Sequence, residues 1–413
     1  MTVYLAIESV TGREDAVLSL LNEAYDDWGD EAHFRWKYDE YPDYDPEEHT
    51  FAALVDDEIA AFRRVFRKDL IDKSESVTTF VLGDTAVAPD YQGQGLYSNL
   101  LEETTNYCRD FGAEAEITYN NVDNITFNTK QKRGWEFSVL PLRLFIHSYE
   151  TVLSHYADLA IPEESVITSI AGEFGDRLAL QVGTEHISVA EVFNSEIKDG
   201  WRLELSASPR AVVRLVETAS NDSIVRVVPT CVGLLASGDV SLVGSPEPPS
   251  TTDRSAYSDV EVVDPESLSS DDIDAMVDLC KITTAGRLSF RRERRDVEHI
   301  LAYPDAKVLT VRDGEILVGF AVVGSYENND VVEARVLDMA APSDTVANHL
   351  YRELEQYTAV EGYDLLVIIS EQDPGPEWAS IERQTIMWNR TENQSSGDVN
   401  LRFPPAVSMY DVL

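Results

Sequence analysis

The residues best suited to chemistry form one short loop. The segment Val87–Tyr97 reads VAPDYQGQGLY, in which an apolar strand end leads through Pro89 into a polar loop with Gly93 and Gly95. An amphipathic helix follows. Backbone N–H groups in the first turn of a helix have no partner within the helix, and glycines let an anion approach them closely. The pattern predicts a pyrophosphate-binding loop without basic side chains, and an ordinary tight turn is the alternative.

The elements that must position this loop alternate between strand and helix in residues 1–150. Apolar runs predict strands, and apolar residues at helical spacing followed by glycine predict helices. The predicted strands are Val3–Ile7, Phe51–Val55, Ile59–Phe66, Val77–Ala88 and Ala115–Tyr119. The predicted helices are Glu14–Trp28, Leu96–Phe111 and a short helix that ends at Arg133. This order predicts an α/β fold with a mixed sheet.

The rest of the chain predicts a strand-rich middle region, a linker and a second α/β region. The middle strand patterns are Leu178–Val182, Trp201–Leu205, Ala211–Leu215 and Ile224–Val228, and residues 244–259 read as a linker rich in Pro and Ser. In the second region, Lys307–Val311, Ile316–Val323 and Leu365–Ile369 repeat the strand order of the first region. Two copies of this length indicate duplication rather than a solenoid, with chance similarity as the alternative.

The second region lacks the glycine loop. Its equivalent segment, Ser343–Asn348, has a side chain at every position and a carboxylate where a pyrophosphate would lie. We therefore predict three domains: a pyrophosphate-binding domain at 1–150, a strand-rich middle region with linker at 151–250, and a degenerate copy at 255–413.

The loop and its surroundings resemble the GNAT (GCN-related N-acetyltransferase) superfamily. Gln92, Gly95 and Tyr97 match its signature of Gln or Arg, two residues, Gly, one residue and a small residue, except that Tyr97 replaces the usual Gly or Ala. Longer members, including the enhanced-intracellular-survival-like acetyltransferases, often carry an aromatic residue there. The segments Tyr119–Phe127 and Lys132–Phe137 extend the similarity. The resemblance implies a tandem GNAT-like acyl-CoA N-acyltransferase fold whose second copy is degenerate.

The resemblance also implies acetyl-CoA as co-substrate, without a metal. Its pantetheine arm would pair with the splayed end of the Val77–Ala88 strand as an added strand does. The implied cofactor-binding residues are Thr85, Ala86 and Val87 for the pantetheine arm, Gln92, Gly93, Gln94, Gly95, Leu96, Tyr97 and Ser98 for the pyrophosphate, and Asn121 or Val122 near the thiol.

Two residues are catalytic candidates. An amine acceptor must lose a proton before it attacks a thioester, and the CoA thiolate can take one back. Asp84 on the key strand is the candidate proton acceptor, with a structural or solvent-facing Asp as the alternative. Tyr119 is the candidate acid, with a core aromatic as the alternative. Many relatives carry a Tyr four residues before the glycine that ends the helix, and here that position is Lys130.

The resemblance therefore implies an N-acetyltransferase that moves acetyl from acetyl-CoA to an amine of a small molecule. Aminoglycosides, amino sugars, polyamines and peptide amines all remain open as acceptors. The alternative function is a catalytically decayed CoA-binding or structural tandem protein. The presence of Lys130 in place of the usual Tyr supports this alternative.

The net charge of the chain indicates the salt conditions and the classes of partner for which the protein is suited. The formal net charge is -42 with a pI of about 4.3, and the chain contains only eight lysines. Because the Debye length falls to about 3 Å at 1 M salt, molar salt would screen this self-repulsion. A dispersed acidic surface predicts a halophilic protein, with a cation-binding patch or acidic tail as the alternative. It argues against nucleic acid and anionic membranes as partners.

Cysteine usage and hydropathy predict a soluble cytoplasmic protein. The three cysteines, Cys108, Cys231 and Cys280, lack CxxC spacing and read as buried thiols in a reducing compartment. We see no pattern typical of a signal peptide and no apolar run near the ~20 residues that span a bilayer. A homo-oligomer is left open.

Overall fold

The computed structural model describes residues 10–25, 28–43, 45–72, 75–122, 124–147, 179–182, 185–188, 201–205, 213–217, 240–243, 260–328, 331–372, 374, 378–381, 384–390 and 405–412. The predicted strands Val3–Ile7 and Ile224–Val228, the linker at 244–259 and Cys231 lie outside these residues. Within these ranges, no helix combines the length and the apolar character needed to cross a membrane.

The strands are numbered in chain order. They are β1 Thr50–Val55, β2 Glu58–Arg67, β3 Leu70–Asp72, β4 Glu75–Val77, β5 Thr79–Val87, β6 Ala115–Asn121, β7 Glu136–Val139, β8 Leu142–Ile146, β9 Ala179–Val182, β10 Glu185–Ser188, β11 Trp201–Leu205, β12 Val213–Glu217, β13 Val240–Val243, β14 Val260–Val263, β15 Ser289–Phe290, β16 Lys307–Asp313, β17 Ile316–Asn328, β18 Val331–Ala340, β19 Leu365–Ile369, β20 Ala379–Ile381 and β21 Gln384–Arg390.

The helices are numbered in the same way. They are α1 Glu14–Tyr25, α2 Glu31–Phe34, α3 Pro46–His49, α4 Leu96–Phe111, α5 Ile125–Lys132, α6 Ser270–Thr283, α7 Arg294–Leu301, α8 Asp344–Val360 and α9 Met409–Val412. A π-helix, Arg35–Asp39, continues α2, and single 3-10 turns occur at Pro89–Tyr91 and Pro265–Ser267.

The chain divides into two compact units, and each draws on separate stretches of sequence. Unit 1 comprises Met1–Leu140, Pro265–Ala306 and Arg383–Leu413, and unit 2 comprises Pro141–Asp264 and Lys307–Glu382. The functional division at 1–150, 151–250 and 255–413 stays a prediction.

The main sheet of unit 1 has the strand order β1-β2-β5-β6-β21-β7. All neighbours are antiparallel except β5 and β6, which are parallel. Strand β21 therefore enters between two strands that it follows by well over 200 residues, since Thr385 and Asn120 are separated by 265 positions. The predicted α/β fold with a mixed sheet is confirmed.

Most predicted elements of unit 1 are present, with two corrections. The hairpin of β1 and β2 and the helix α4 agree with the prediction, and α4 ends at Gly112 in the left-handed conformation with a φ of 88°. The predicted helix Glu14–Trp28 ends earlier, at Tyr25. The predicted strand Val77–Ala88 is shorter, because β5 spans Thr79–Val87, while Val77 is the last residue of β4, which pairs with β3 in a small sheet.

A β-bulge lies in the middle of β5. Two residues of β5, Asp84 and Thr85, stand opposite the single residue Arg63 of β2. Asp84 has a φ of 46°, which lies in the left-handed region that few residues other than Gly, Asn and Asp adopt. A bulge bends its strand and changes the direction of the side chains there. The Asp84 carboxylate therefore points in a direction that a regular strand would not give it.

The two parallel strands separate beyond the bulge. Strand β5 pairs with β6 only from Thr79↔Ala115 to Val81↔Ile117, although β5 continues to Val87 and β6 to Asn121. The last link is the Thr118 hydroxyl, which donates to the Leu82 carbonyl at 2.9 Å. This gap leaves the edge of β5 open for an added strand.

Apolar side chains cover both faces of the unit 1 sheet. On one face, α4 buries Leu96, Leu100, Leu101, Thr104 and Cys108, which lie along one side of the helix. On the other face, α1 buries Val17, Leu20 and Leu21 in a cluster with β1, β2 and the π-helix. The main sheet of unit 1 is therefore buried on both faces.

Unit 2 repeats this order. Its main sheet has the strand order β14-β16-β17-β18-β19-β8-β20. The strands β16, β17, β18 and β19 pair in the same directions as β1, β2, β5 and β6. Helix α8 connects β18 to β19, as α4 connects β5 to β6. Strand β18 also has a pairing irregularity opposite Val322 and Val323, where β5 has its bulge. The predicted strands β11 and β19 are present with the predicted bounds. The repeated pairing order of the second sheet accords with a tandem arrangement.

Candidate functional site

The glycine loop joins β5 to α4. Gly93 and Gly95 have φ values of 73° and 85°, and open space surrounds the position of a Cβ at each. The glycines are therefore needed for their backbone conformation rather than for room. Gly95 is the N-cap of α4 and supplies no side-chain cap, and the first turn of the helix contains no acidic residue.

The other loop residues leave these N–H groups uncovered. The amide of Gln92 donates to the Val87 carbonyl at 3.3 Å, and the amide of Gln94 donates to the Asp90 carbonyl at 3.1 Å. Both side chains thus fold back on the loop. Ser98 in the first turn of α4 is exposed. A helix start without a cap, without an acid and open to solvent is suited to an anion.

The gap between β5 and β6 adjoins this loop. Ala86 is buried, whereas Val87 is half-buried against the α4 cluster. The Thr85 carbonyl accepts a hydrogen bond from the Tyr25 hydroxyl at 2.7 Å, so this oxygen is already used. Asn121 is exposed at the end of β6, and Val122 packs against the α4 cluster. The structure thus brings the predicted cofactor residues to one edge of the sheet.

Asp84 is surrounded by donors. Its Oδ1 lies 2.9 Å from the Lys37 ammonium and 3.4 Å from the Trp28 indole nitrogen, and its Oδ2 accepts from the Tyr38 hydroxyl at 3.0 Å. The Asp84 and Lys37 side chains are each 10% exposed. Burial and the Asp84 charge raise the pKa of Tyr38 well above its usual value, so the hydroxyl stays protonated and donates. Asp84 therefore holds the π-helix against the bulge.

A cavity of about 210 Å³ opens beside Asp84. Aromatic side chains and two lysines form most of its wall. The lining residues are Tyr25, Trp28, Trp36, Lys37, Tyr41, Phe66, Lys68, Val81, Leu82, Gly83, Asp84, Tyr119, His299, Gln384, Tyr410 and Asp411. The cavity thus reaches the gap between β5 and β6 at Leu82, Gly83 and Tyr119.

Tyr119 presents a buried hydroxyl on this wall. Within the described ranges, this hydroxyl has no hydrogen-bond partner. Burial raises the pKa of Tyr119 well above its usual value, and the Asp411 charge adds to the shift. The phenol is therefore a neutral donor over the ordinary pH range.

His299 ties distant segments together in the cavity wall. Its Nε2 lies 2.7 Å from the Trp36 carbonyl and its Nδ1 lies 3.0 Å from the Tyr410 hydroxyl. A carbonyl only accepts, so Nε2 carries the proton and Nδ1 accepts from Tyr410. Burial lowers the pKa of His299 to about 4, partly opposed by the hydrogen bond to Trp36. The Trp36 and His299 rings stack with centroids 4.8 Å apart.

A comparison of the sequence with protein families identifies the first part of unit 1. Residues 15–132 match the Acetyltransferase (GNAT) family. They form a GNAT acetyltransferase domain. A comparison with curated protein sequences gives no significant match.

Solved structures share the fold over most of the chain. A probable N-acyltransferase of unknown function from Enterococcus faecalis is 9% identical with a TM-score of 0.50, and the match covers 95% of this chain and 74% of that one. Saccharomyces cerevisiae N-myristoyltransferase is 12% identical with a TM-score of 0.54, covering 93% and 79%. A GCN5-related N-acetyltransferase from Kribbella flavida is 12% identical with a TM-score of 0.47, covering 94% and 70%. At these identities the matches to the Enterococcus faecalis and Saccharomyces cerevisiae structures establish the acyltransferase fold alone.

Lys130 of the GNAT domain is buried in the face covered by α4 and α5. It is 1% exposed, and its ammonium lies 4.7 Å from the centre of the Trp135 ring. Burial lowers its pKa well below the usual value, and the Arg63 charge adds to the shift. Lys130 does not line the cavity, whereas Tyr119 does.

The cavity of unit 1 also contains residues that the sequence did not single out as site residues. Lys68, His299, Tyr410 and Asp411 line the cavity, and three of them lie more than 170 positions beyond the glycine loop. Trp36 and Lys37 had a local signal, because Phe34–Tyr38 is an unusually aromatic and basic segment in an acidic chain. No group of three His, Cys, Asp or Glu side chains in the described parts of the chain could hold a metal ion.

Proposed function

We propose that the protein is an N-acetyltransferase that moves acetyl from acetyl-CoA to an amine of a small molecule bound in the cavity. The observation that supports this proposal most is that the cavity adjoins the gap between β5 and β6. The cavity extends to Leu82, Gly83 and Tyr119, where β5 and β6 separate, so a thioester held between the strands would face a bound acceptor.

The cofactor would occupy the open edge of β5 and the start of α4. The pantetheine arm would pair with the backbone between Thr85 and Val87, apart from the Thr85 carbonyl that Tyr25 occupies. The pyrophosphate would accept hydrogen bonds from backbone N–H groups between Gly93 and Ser98. The thiol end would lie toward Asn121 or Val122.

The acceptor amine must be neutral when it attacks the thioester carbon. We assign Asp84 to this step as the charge that attracts and orients the ammonium before it loses its proton, since three donors already engage the carboxylate. The Tyr119 hydroxyl would donate a hydrogen bond to the sulfur as the C–S bond breaks and the thiolate forms. The ammonium loses one proton to solvent before the attack, and the proton that the attacking nitrogen then releases passes to the thiolate. The products are the acetylated amine and CoA in its thiol form.

The second unit would not bind CoA. The Ser343 hydroxyl caps α8 by accepting from the Val346 N–H at 3.3 Å, and Asp344 adds a carboxylate to the first turn. Both features occupy the place of the anion in the first unit. We accordingly propose residues 1–150 as the catalytic region, with a cavity completed by His299, Gln384, Tyr410 and Asp411, and the part of 255–413 that belongs to unit 2 as a degenerate copy.

The setting proposed from the sequence is a salt-rich cytoplasm. The formal charge of -42 and the scarcity of lysine support it, as do the buried thiols of Cys108 and Cys280, which form no disulfide. The acidic surface also supports small molecules rather than nucleic acids or membranes as partners.

Release of CoA thiol from acetyl-CoA with a panel of amines, in molar KCl, tests the proposal. We expect release that depends on the amine and is faster with acetyl-CoA than with myristoyl-CoA. Binding of acetyl-CoA without amine-dependent release by any member of the panel would favour a decayed CoA-binding protein instead. The buried lysine at position 130 is the observation that favours that second function.

A further inference from the structure

Lys68 is placed unusually for a lysine in this chain. Only eight lysines occur in the sequence, and two of them, Lys37 and Lys68, line the cavity. Lys37 is paired with the Asp84 carboxylate at 2.9 Å. The Lys68 side chain is 8% exposed and lies on the connection between β2 and β3. A charge buried to this degree requires partners that replace water.

The partners of Lys68 leave part of its ammonium unused. It donates one hydrogen bond, to the Tyr410 carbonyl at 3.0 Å. The Asp411 carboxylate lies 3.8 Å away, beyond hydrogen-bond distance. An ammonium carries three donors, so within the described residues Lys68 has donors to spare and no carboxylate hydrogen-bonded to it.

Asp411 is already held by other groups. Its Oδ2 accepts from the Arg292 guanidinium at 2.7 Å, from the Ser408 N–H at 2.9 Å and from the Ser408 hydroxyl at 3.2 Å. These contacts all use Oδ2, whereas Oδ1 faces the Lys68 ammonium at 3.8 Å and has no hydrogen-bond partner within the described residues. Asp411 is therefore held most closely by Arg292 and lies beside Lys68 as a more distant charge.

The surroundings of Lys68 disfavour its positive charge. Burial lowers the pKa of Lys68 to about 8, against an opposing effect of Asp411. The groups that act on it are Asp411, Arg292, Asp296, Lys37, Tyr410 and Tyr41. Asp296 also favours the charged lysine, and burial raises the pKa of this acid above its usual value. An added anion beside Lys68 would relieve this penalty.

We propose that the Lys68 ammonium binds an anionic group of the acceptor, so that the acceptor is an amine that also carries a carboxylate or a phosphoryl group. The inference rests on the proposed transfer to an amine in the cavity. The aromatic wall then packs against the carbon chain that joins the two ends of the acceptor. An acidic chain would in this way use one of its few lysines to recognise an acid.

Calorimetry with amines of matched length tests the proposal without any transfer. The probes are butylamine, aminobutanol, putrescine, γ-aminobutyrate and aminopropylphosphonate, titrated into the CoA-bound protein. We expect one or both of the anionic amines to bind at least tenfold more tightly than butylamine. The carboxylate and phosphonate arms show which anion fits better.

Two variants separate recognition from folding. Lys68→Met keeps the length of the side chain and leaves Asp411 with Arg292, so the fold should persist while the preference for anionic amines is lost. Lys68→Arg should keep at least part of the preference. The matched control is Lys281→Met, an exposed lysine outside the cavity that pairs with Asp278, and it should change nothing.

A proton count gives a second readout. A bound anion raises the pKa of Lys68, so near pH 8 the wild type should take up a fraction of a proton on binding an anionic amine, and Lys68→Met should take up less. Equal affinity for all five probes, or tightest binding of putrescine, would overturn the proposal and leave Lys68 as a structural partner of Asp411. Failure of every amine to release thiol while the affinity pattern holds would instead refute the transfer reaction.

Discussion

Placing a carboxylate in the first turn of α4 should separate stability from cofactor affinity. Ser98 is exposed, and that turn contains no acidic residue. An acid there interacts favourably with the helix dipole, by about 0.3–1 kcal/mol, so Ser98→Asp should leave the free energy of unfolding unchanged or slightly higher. The same carboxylate would repel a bound pyrophosphate. Two unit charges 4 Å apart interact by about 1 kcal/mol in bulk water and about 4 kcal/mol at a protein surface.

The expected result is a loss of acetyl-CoA affinity of at least tenfold, which corresponds to about 1.4 kcal/mol. Calorimetry measures the affinity and thermal melts without ligand measure the stability, both at the lowest KCl concentration that keeps the protein folded, because salt screens the repulsion. The matched control is Thr345→Asp in the first turn of α8, which is also exposed. Normal binding by Ser98→Asp, or a loss confined to Thr345→Asp, would show that the cofactor lies elsewhere.

Three further predictions concern stability. Asp84→Asn keeps the left-handed backbone but leaves the buried Lys37 without its carboxylate, so the free energy of unfolding should fall by about 3–5 kcal/mol, and an unchanged denaturant midpoint would contradict the account of this network. The pKa of His299 is about 4 in the folded state against 6.5 when unfolded, so the unfolded state binds the proton first as the pH falls. Stability should therefore drop by up to roughly 3 kcal/mol between pH 6.5 and 4, and His299→Gln should flatten this slope in denaturant titrations. With a net charge of -42, the thermal midpoint should rise steeply between roughly 0.1 and 2 M KCl, and a constant midpoint would argue against salt adaptation.

Local patterns made much of unit 1 predictable. The helix α4 follows from apolar spacing and a terminal glycine, and the hairpin of β1 and β2 follows from two apolar runs around an acidic turn. The glycine loop has the predicted place between β5 and α4. Each of these signals lies within about 20 residues of sequence.

The remainder depends on contacts that no local pattern encodes. His299 stacks on Trp36 across 263 positions, and Lys68 contacts Tyr410 across 342. The bulge at Asp84 could not be predicted either, because its left-handed backbone arises from pairing between β2 and β5.

The place of β21 in the sheet of unit 1 bears on how the protein is made. Synthesis proceeds at about 5–20 residues per second, so the ribosome needs on the order of tens of seconds to add the 265 positions that separate Asn120 from its partner Thr385. During that interval β6 presents an unpaired edge, which is a template for association between nascent chains. We expect the strong negative charge of the chain to keep neighbouring nascent chains apart until β21 has been synthesised. The acidic composition would therefore benefit the protein before it has folded.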